Sequence, residues 1–187
     1  MPESSPTPDS PISLHGQLLL ADPSLRDGIF DRSVILLAEH SADQGAFGLI
    51  MNQPTGHTVG DFLKEKQFAP LLKIAVHQGG PVAREHLTFS AFWWQESQLR
   101  WALRISADDA IQHAHRPGTL VRAFIGYSGW TAGQLEGELR RHSWIATRPA
   151  TSFLGLSHDR NLWAEILRNM SPFHRILAAS PDQPNLN

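Results

Sequence analysis

The segment Gly126-Tyr127-Ser128-Gly129-Trp130 sets a serine among glycines, after the apolar stretch Leu120 to Ile125 and before a run that reads as a helix. That is the setting of a nucleophile elbow, in which a strained turn lifts a Ser Oγ above a sheet for acyl transfer. The G-x-S-x-G pattern fails at its last place, because position 130 is Trp and the glycine stands at 129. The same turn has another use. Backbone NH groups at residues 129 to 133, with the dipole of the following helix, attract a phosphate or carboxylate. Gly79-Gly80-Pro81 resembles a phosphate-cradling loop only superficially: it lacks the Lys and the spacing of a P-loop and reads as a turn between strands. Asn52, ahead of Gln53-Pro54, reads as support for a turn, with a ligand contact as the alternative.

Other reactive residues form weaker patterns. His113-Ala114-His115 lies near Asp108 and Asp109, yet no further ligand stands at a familiar spacing, so no metal is expected. Glu39 and His40 adjoin on a strand, where neighbours face opposite ways and make a poor acid-base pair. With Cys 0, thiolate catalysis, disulfides and Cys-ligated metal are excluded. No complete catalytic constellation is present and no cofactor is expected.

These residues need elements to position them. At 187 residues the chain is long enough for one domain with a real core. Hydrophobic residues at 41% and a net charge of −2 exclude wholesale disorder and the strongly basic footprint of a dedicated nucleic-acid binder. Pro2, Pro6, Pro8 and Pro11 mark residues 1 to 11 as a disordered arm; 12 to 179 form one body, and 180 to 187 a flexible tail. Short strands are expected at Leu14 to Ala21, Ser33 to Glu39, Ala46 to Met51, Lys73 to His77, Glu85 to Phe92, Leu99 to Ile105 and Leu120 to Ile125. Thr58 with Asp61 signals a short helix over 59 to 66, and Thr131 with Gln134 a second, with Gln134 bonding back to its cap. A third helix, about 160 to 170, puts Leu162, Trp163, Ile166, Leu167 and Met170 on one face. The pattern predicts an α+β fold: a strongly bent, mostly antiparallel sheet with two or three outer helices.

The blocks Gly16 to Pro23, Glu39-His40, Gly45 to Asn52 with Pro54, Gly79-Gly80-Pro81-Val82, Gly126 to Trp130, Gly133 to Glu136, Glu138-Leu139 and Trp144 stand in one order and spacing. In this the chain resembles the YqgE/AlgH family of bacterial proteins over nearly its whole body. The resemblance implies a curved sheet folded into a partly closed barrel with helices outside it. It also implies a family largely without an assigned function, whose members are labelled transcriptional regulators although they lack a recognisable DNA-binding motif. Members often carry Cys before the Glu-His pair, where this chain has Ala38, and commonly accept Ala where Ser128 stands.

The functional expectation is a non-enzymatic binding or regulatory protein of the cytoplasm, acting through protein contacts and an anionic ligand at its glycine-rich turns. Its residues are Asn52, Gly79, Gly80, Gly126, Tyr127, Ser128, Gly129, Trp130 and Gln134. No secretory signal is read, and no apolar run approaches the roughly 20 residues of a membrane helix. Trp93-Trp94, beside Phe92, must face opposite ways, and an uncovered one suits a protein partner or a homodimer seam, with base stacking as the rival reading. The first alternative is a transcriptional regulator touching nucleic acid through Arg140, Arg141, Arg148, Arg160, Arg168 and Arg175. The second is a hydrolase using Ser128.

Overall fold

A computed structural model describes residues 12–26 and 28–181. The expected arm at 1 to 11, and the tail beyond Pro181, lie outside the described residues. The first half holds β1 (Leu18–Ala21), β2 (Val34–Ser41), β3 (Gly45–Ile50), β4 (Pro54–Thr58), α1 (Val59–Phe62), β5 (Ala75–Gln78) and β6 (Val82–Gln95). The second holds β7 (Gln98–Ile105), α2 (Ala107–Ala114), β8 (Leu120–Trp130), α3 (Gln134–Arg140), β9 (Trp144–Thr147), α4 (Leu162–Met170) and α5 (Pro172–Ala178).

The fold is α+β, and its sheet curls into a half-barrel that reads β4-β5-β8-β3-β2-β1-β9, with β6 and β7 added beside β8. Every pairing is antiparallel except β5 with β8. β8 makes the curl. Its residues 123 to 125 lie parallel to Val76, His77 and Gln78, whereas 128 to 130 lie antiparallel to Gly48, Phe47 and Ala46. Gly126 stands at the switch with φ 72°, a conformation costly for a side-chain-bearing residue. Residues 126 to 130, expected as a turn before a helix, are therefore strand. Their glycines bend β8 from one part of the sheet into the other rather than ending it.

Burial explains the sequence patterns. Val34 to Ala38 is continuously apolar because β2 is covered on both faces. On one side Leu36 and Leu18 join Phe92, Phe124 and the α4 residues Leu162, Trp163 and Leu167. On the other, Ile35, Leu37 and Leu19 meet Trp130, Leu135 of α3 and Trp144. The expected apolar face of α4 closes the first cluster, and the Trp163 indole N–H donates to the Ala21 carbonyl at 2.9 Å.

Two helices join the three expected ones. α2 opens at Ser106, whose Oγ accepts from the Asp109 NH at 3.1 Å and donates to the Asp109 carboxylate at 2.8 Å. This local cap fixes the helix over a stretch carrying few apolar residues. α5 opens at Ser171, with Pro172 in its first turn, where a missing NH is harmless. α1 is shorter than expected, ending at Phe62; the chain then turns through a 3-10 segment at Lys66–Leu71 that contains Pro70.

Candidate functional site

The glycine motifs converge where β8 changes neighbours. A Cβ on Gly80 would lie 2.0 Å from the Tyr127 carbonyl carbon, and one on Gly126 would lie 2.3 Å from the Gly80 oxygen. The two main chains touch because neither residue has a side chain. The Gly79 carbonyl accepts from the Ile50 NH at 2.9 Å and from Ser128 Oγ at 3.1 Å. Ser128 is fully buried and spends its hydroxyl proton on that bond. It is therefore placed as a brace. Ser128→Ala should cost about 1 kcal/mol of stability, since the Gly79 oxygen keeps its backbone partner. A loss above about 3 kcal/mol in urea unfolding would contradict this role.

The other expected residues are held by structure. Asn52 is buried; its Oδ1 accepts from the Val34 NH and its Nδ2 donates to the Arg32 carbonyl, both at 2.9 Å, so its amide ties two turns together. The Trp130 indole N–H donates to the Glu138 carboxylate at 2.9 Å, as the Trp144 indole does at 2.7 Å and the Gln134 amide at 3.0 Å. Gln134 Oε1 also accepts from the Thr131 NH at 3.1 Å, the expected return bond, although the helix cap itself is Gly133. Trp130 and Gln134 belong to this girdle around Glu138. Gly129 is exposed, against the Tyr127 ring.

Gly126 and Tyr127 have a further setting: they line a cleft of about 420 Å³ together with Phe47, Leu49, Thr88, Ser90 and Leu103, among others. That volume lies within the range of roughly 300 to 1,000 Å³ typical of small-molecule sites. Two strand irregularities border the cleft, each contributing a lining residue. In β6, Val82 pairs with Tyr127 and Leu87 with Ile125, so residues 83 to 86 bulge opposite Gly126 alone. In β7, Leu103 pairs with Ser90 and Ile105 with Phe89, which leaves Arg104 as the extra residue. Ala83 and Arg104, one in each irregularity, have φ of 52° and 53°. Left-handed non-glycine residues cost of order 1 to 3 kcal/mol each and concentrate at functional sites.

The second bulge reverses what the sequence implies for Arg104. In strict alternation Leu99, Trp101, Leu103 and Ile105 share one face, and Arg104 would point away with Arg100. Instead Leu103 and Ile105 enter different core clusters. The guanidinium of Arg104 comes to lie 4.8 Å from the Phe47 ring centre and 5.4 Å from that of Tyr127. Those two rings are 4.8 Å apart. Phe47, Ala83, His86 and Arg104 were not among the expected site residues, because a bulge at a non-glycine residue leaves no mark in residue type.

A buried polar cluster sits elsewhere in the core. Arg122 donates to His158 Nδ1 at 2.6 Å, the His158 Nε2–H donates to the Phe153 carbonyl at 2.8 Å, and the His77 Nε2–H donates to the His158 carbonyl at 3.0 Å. Burial, reinforced by the Arg122 charge, lowers His77 to about 4, and the same two causes lower His158 to about 4. Both imidazoles are neutral at pH 7. Among the described residues neither hydrogen-bonds a carboxylate, so the cluster lacks the acid of a catalytic triad.

The remaining candidates are structural. His113 and His115 fall at the end of α2, not on a strand: His113 stacks on Trp93, and His115 Nδ1 bonds to the Ile111 carbonyl. Among the described residues no group of three His, Asp or Glu is arranged to hold a metal ion. Trp93 and Trp94 are both half-buried, Trp94 against the core. They line a smaller hollow of about 360 Å³ with Arg116 and Gly118. Glu39 and His40 separate as expected: Glu39 is exposed, and His40 Nε2 bonds to Glu136 at 2.7 Å. No helix among the described residues is long and apolar enough to cross a membrane.

Comparison with known proteins gives a consistent result. The chain is 33% identical to a UPF0301 protein of Cytophaga hutchinsonii, covering 92% of this chain and 98% of the relative. It is 34% identical to one of Rhizorhabdus wittichii, covering 94% and 99%. The solution structure of the AlgH protein from Pseudomonas aeruginosa matches with a TM-score of 0.65 at 27% identity, covering 98% of this chain and all of that one. A crystal structure of a Corynebacterium diphtheriae protein matches with a TM-score of 0.67 at 20% identity over 96% of this chain and 95% of that one, a likeness of fold alone. The AlgH-like family model matches residues 18–174, and with that coverage the chain belongs to the AlgH-like family.

Proposed function

We propose that this protein is a non-enzymatic binding protein of the bacterial cytoplasm whose ligand site is the cleft at the bend of β8. The carrying observation is that two left-handed non-glycine residues, Ala83 and Arg104, flank one concave cavity whose wall is Phe47 and Tyr127. Strain of this kind persists only where the surrounding structure over-determines it. The lining joins apolar surface to a few hydroxyls and one guanidinium, the composition of a recognition site. The buried, committed hydroxyl of Ser128 speaks against the hydrolase alternative. A cytoplasmic setting is compatible with the absence of cysteine.

A regulatory role through protein contacts draws support from α5, where Phe173 and Ile176, one turn apart, are 64% and 71% exposed. The nucleic-acid alternative draws on six exposed arginines, but they are distributed over α3, the β9–α4 connection, α4 and α5.

Tyr127 is the only tyrosine of the chain, so 3-fluorotyrosine labelling places one fluorine reporter inside the cleft. Screening a fragment library by fluorine NMR should yield ligands that shift this signal in a saturable way. Fragments that bind tightly while leaving the signal unmoved would place the site elsewhere and sink the proposal.

A further inference from the structure

The chemistry of the cleft specifies its ligand more closely. This step rests on the cleft being a binding site. Arg104 is the only Lys or Arg among the lining residues, and no Asp or Glu lines the cleft. The Glu85 carboxylate lies 3.2 Å from His86 Nδ1, with both side chains 71% exposed. Arg104 has no hydrogen bond or ion pair with any described residue; its guanidinium meets the two rings. Cation–π contact satisfies none of the five N–H donors of a guanidinium, so they stay available to an anion. Contact with two rings restricts the head group, so less freedom is lost when its planar fork grips a pair of oxygens. Leu49 and Leu103 line the same cleft as the rings of Phe47 and Tyr127. Ser90 and Thr88 add hydroxyls in the wall.

We infer that the cleft binds a small amphipathic anion, its carboxylate or phosphate head held by the Arg104 guanidinium and its apolar body laid against Phe47, Leu49, Leu103 and Tyr127. The bulge in β7 supports this assignment. It sets an exposed charged residue of an edge strand against the two rings of the cleft, at a backbone cost that ring contact does not by itself require.

Three probes of similar shape test the inference: 2-naphthoate, 1-naphthyl phosphate and the neutral naphthalene-2-carboxamide, each titrated against the full chain with the Tyr127 fluorine signal as readout. At least one anion should saturate the signal and bind ten times or more tightly than the carboxamide; the tighter head group identifies carboxylate or phosphate as the natural one. Arg104→Gln should abolish the preference, while Arg104→Lys should keep part of it, with unfolding midpoints confirming that both variants are folded. If the carboxamide binds within about twofold of both anions, or Arg104→Gln leaves the preference intact, the inference is wrong and the cleft is a site for neutral ligands. If no probe moves the signal of the wild type, the inference falls; the fragment screen then decides separately whether the cleft binds anything.

Discussion

Lowering the pH from 7 to about 4.5 should strip several kcal/mol from the stability of this protein, most of it above pH 5, where ordinary carboxylates have barely begun to titrate. The cause is the pair His77 and His158, which are 3% and 6% exposed and held near pKa 4 in the folded state against 6.5 in the unfolded chain. Between those values the unfolded chain takes up protons that the folded chain refuses, so unfolding is favoured as pH falls. Above about 6.5 both states leave the imidazoles neutral and stability is full. Below about 4 the loss is complete. One pKa unit corresponds to about 1.4 kcal/mol, so each imidazole contributes roughly 3 kcal/mol. The two contributions overlap, because each ring sits beside the same Arg122. Against a typical total of about 5 to 15 kcal/mol, that is a large share. The urea midpoint measured at pH 7.5, 6.5, 5.5 and 4.5 should fall steadily, and the double variant His77→Gln/His158→Gln should flatten the profile in this window. A wild-type midpoint that holds constant from pH 7.5 to 5 would show that the cluster opens to solvent or rearranges at no cost.

The buried His–Arg cluster has no local signature. His77, Arg122 and His158 are scattered in sequence and meet only because β5 pairs in parallel with β8 and the segment before α4 folds over both. The legible parts were those with local causes. The continuous apolar run of β2 announces burial on both faces, and the stripe from Leu162 to Met170 announces the inner side of α4. The glycine blocks were visible, and so was their reason, a main chain bent sharply. Their conformation was not, because glycines that end a strand and glycines that bend one carry the same letters. Arg104 marks the opposite failure. Strict alternation would point it away with Arg100, and a single inserted residue sets it, still exposed, against the rings of Phe47 and Tyr127.

Replacing Gly126 by Ala should be among the most damaging single-methyl changes the chain can suffer, about 3 to 5 kcal/mol, at the upper end of what point substitutions do. Two causes add. At φ 72° an alanine costs roughly 1 to 2 kcal/mol from its own backbone. Its Cβ would also stand 2.3 Å from the Gly80 carbonyl oxygen and 2.9 Å from that of Val82. These are main-chain atoms of the β5–β6 connection and of the first residue of β6, so relief requires that segment to withdraw from β8. Withdrawal would carry Gly79 with it, loosening its bonds to Ile50 and Ser128 and parting the two regions of sheet that β8 joins. Gly137 supplies the control, for in α3 an added Cβ meets only the Arg140 guanidinium at 3.8 Å. Gly137→Ala should stabilise by up to about 1 kcal/mol through helix propensity. Urea unfolding of both variants separates the explanations. If Gly126→Ala loses less than about 1 kcal/mol, the close approach at the bend is not what shapes the half-barrel, and the cleft it walls would survive without it. If the loss is large and the Tyr127 signal also shifts before unfolding, the bend and the cleft are one construction.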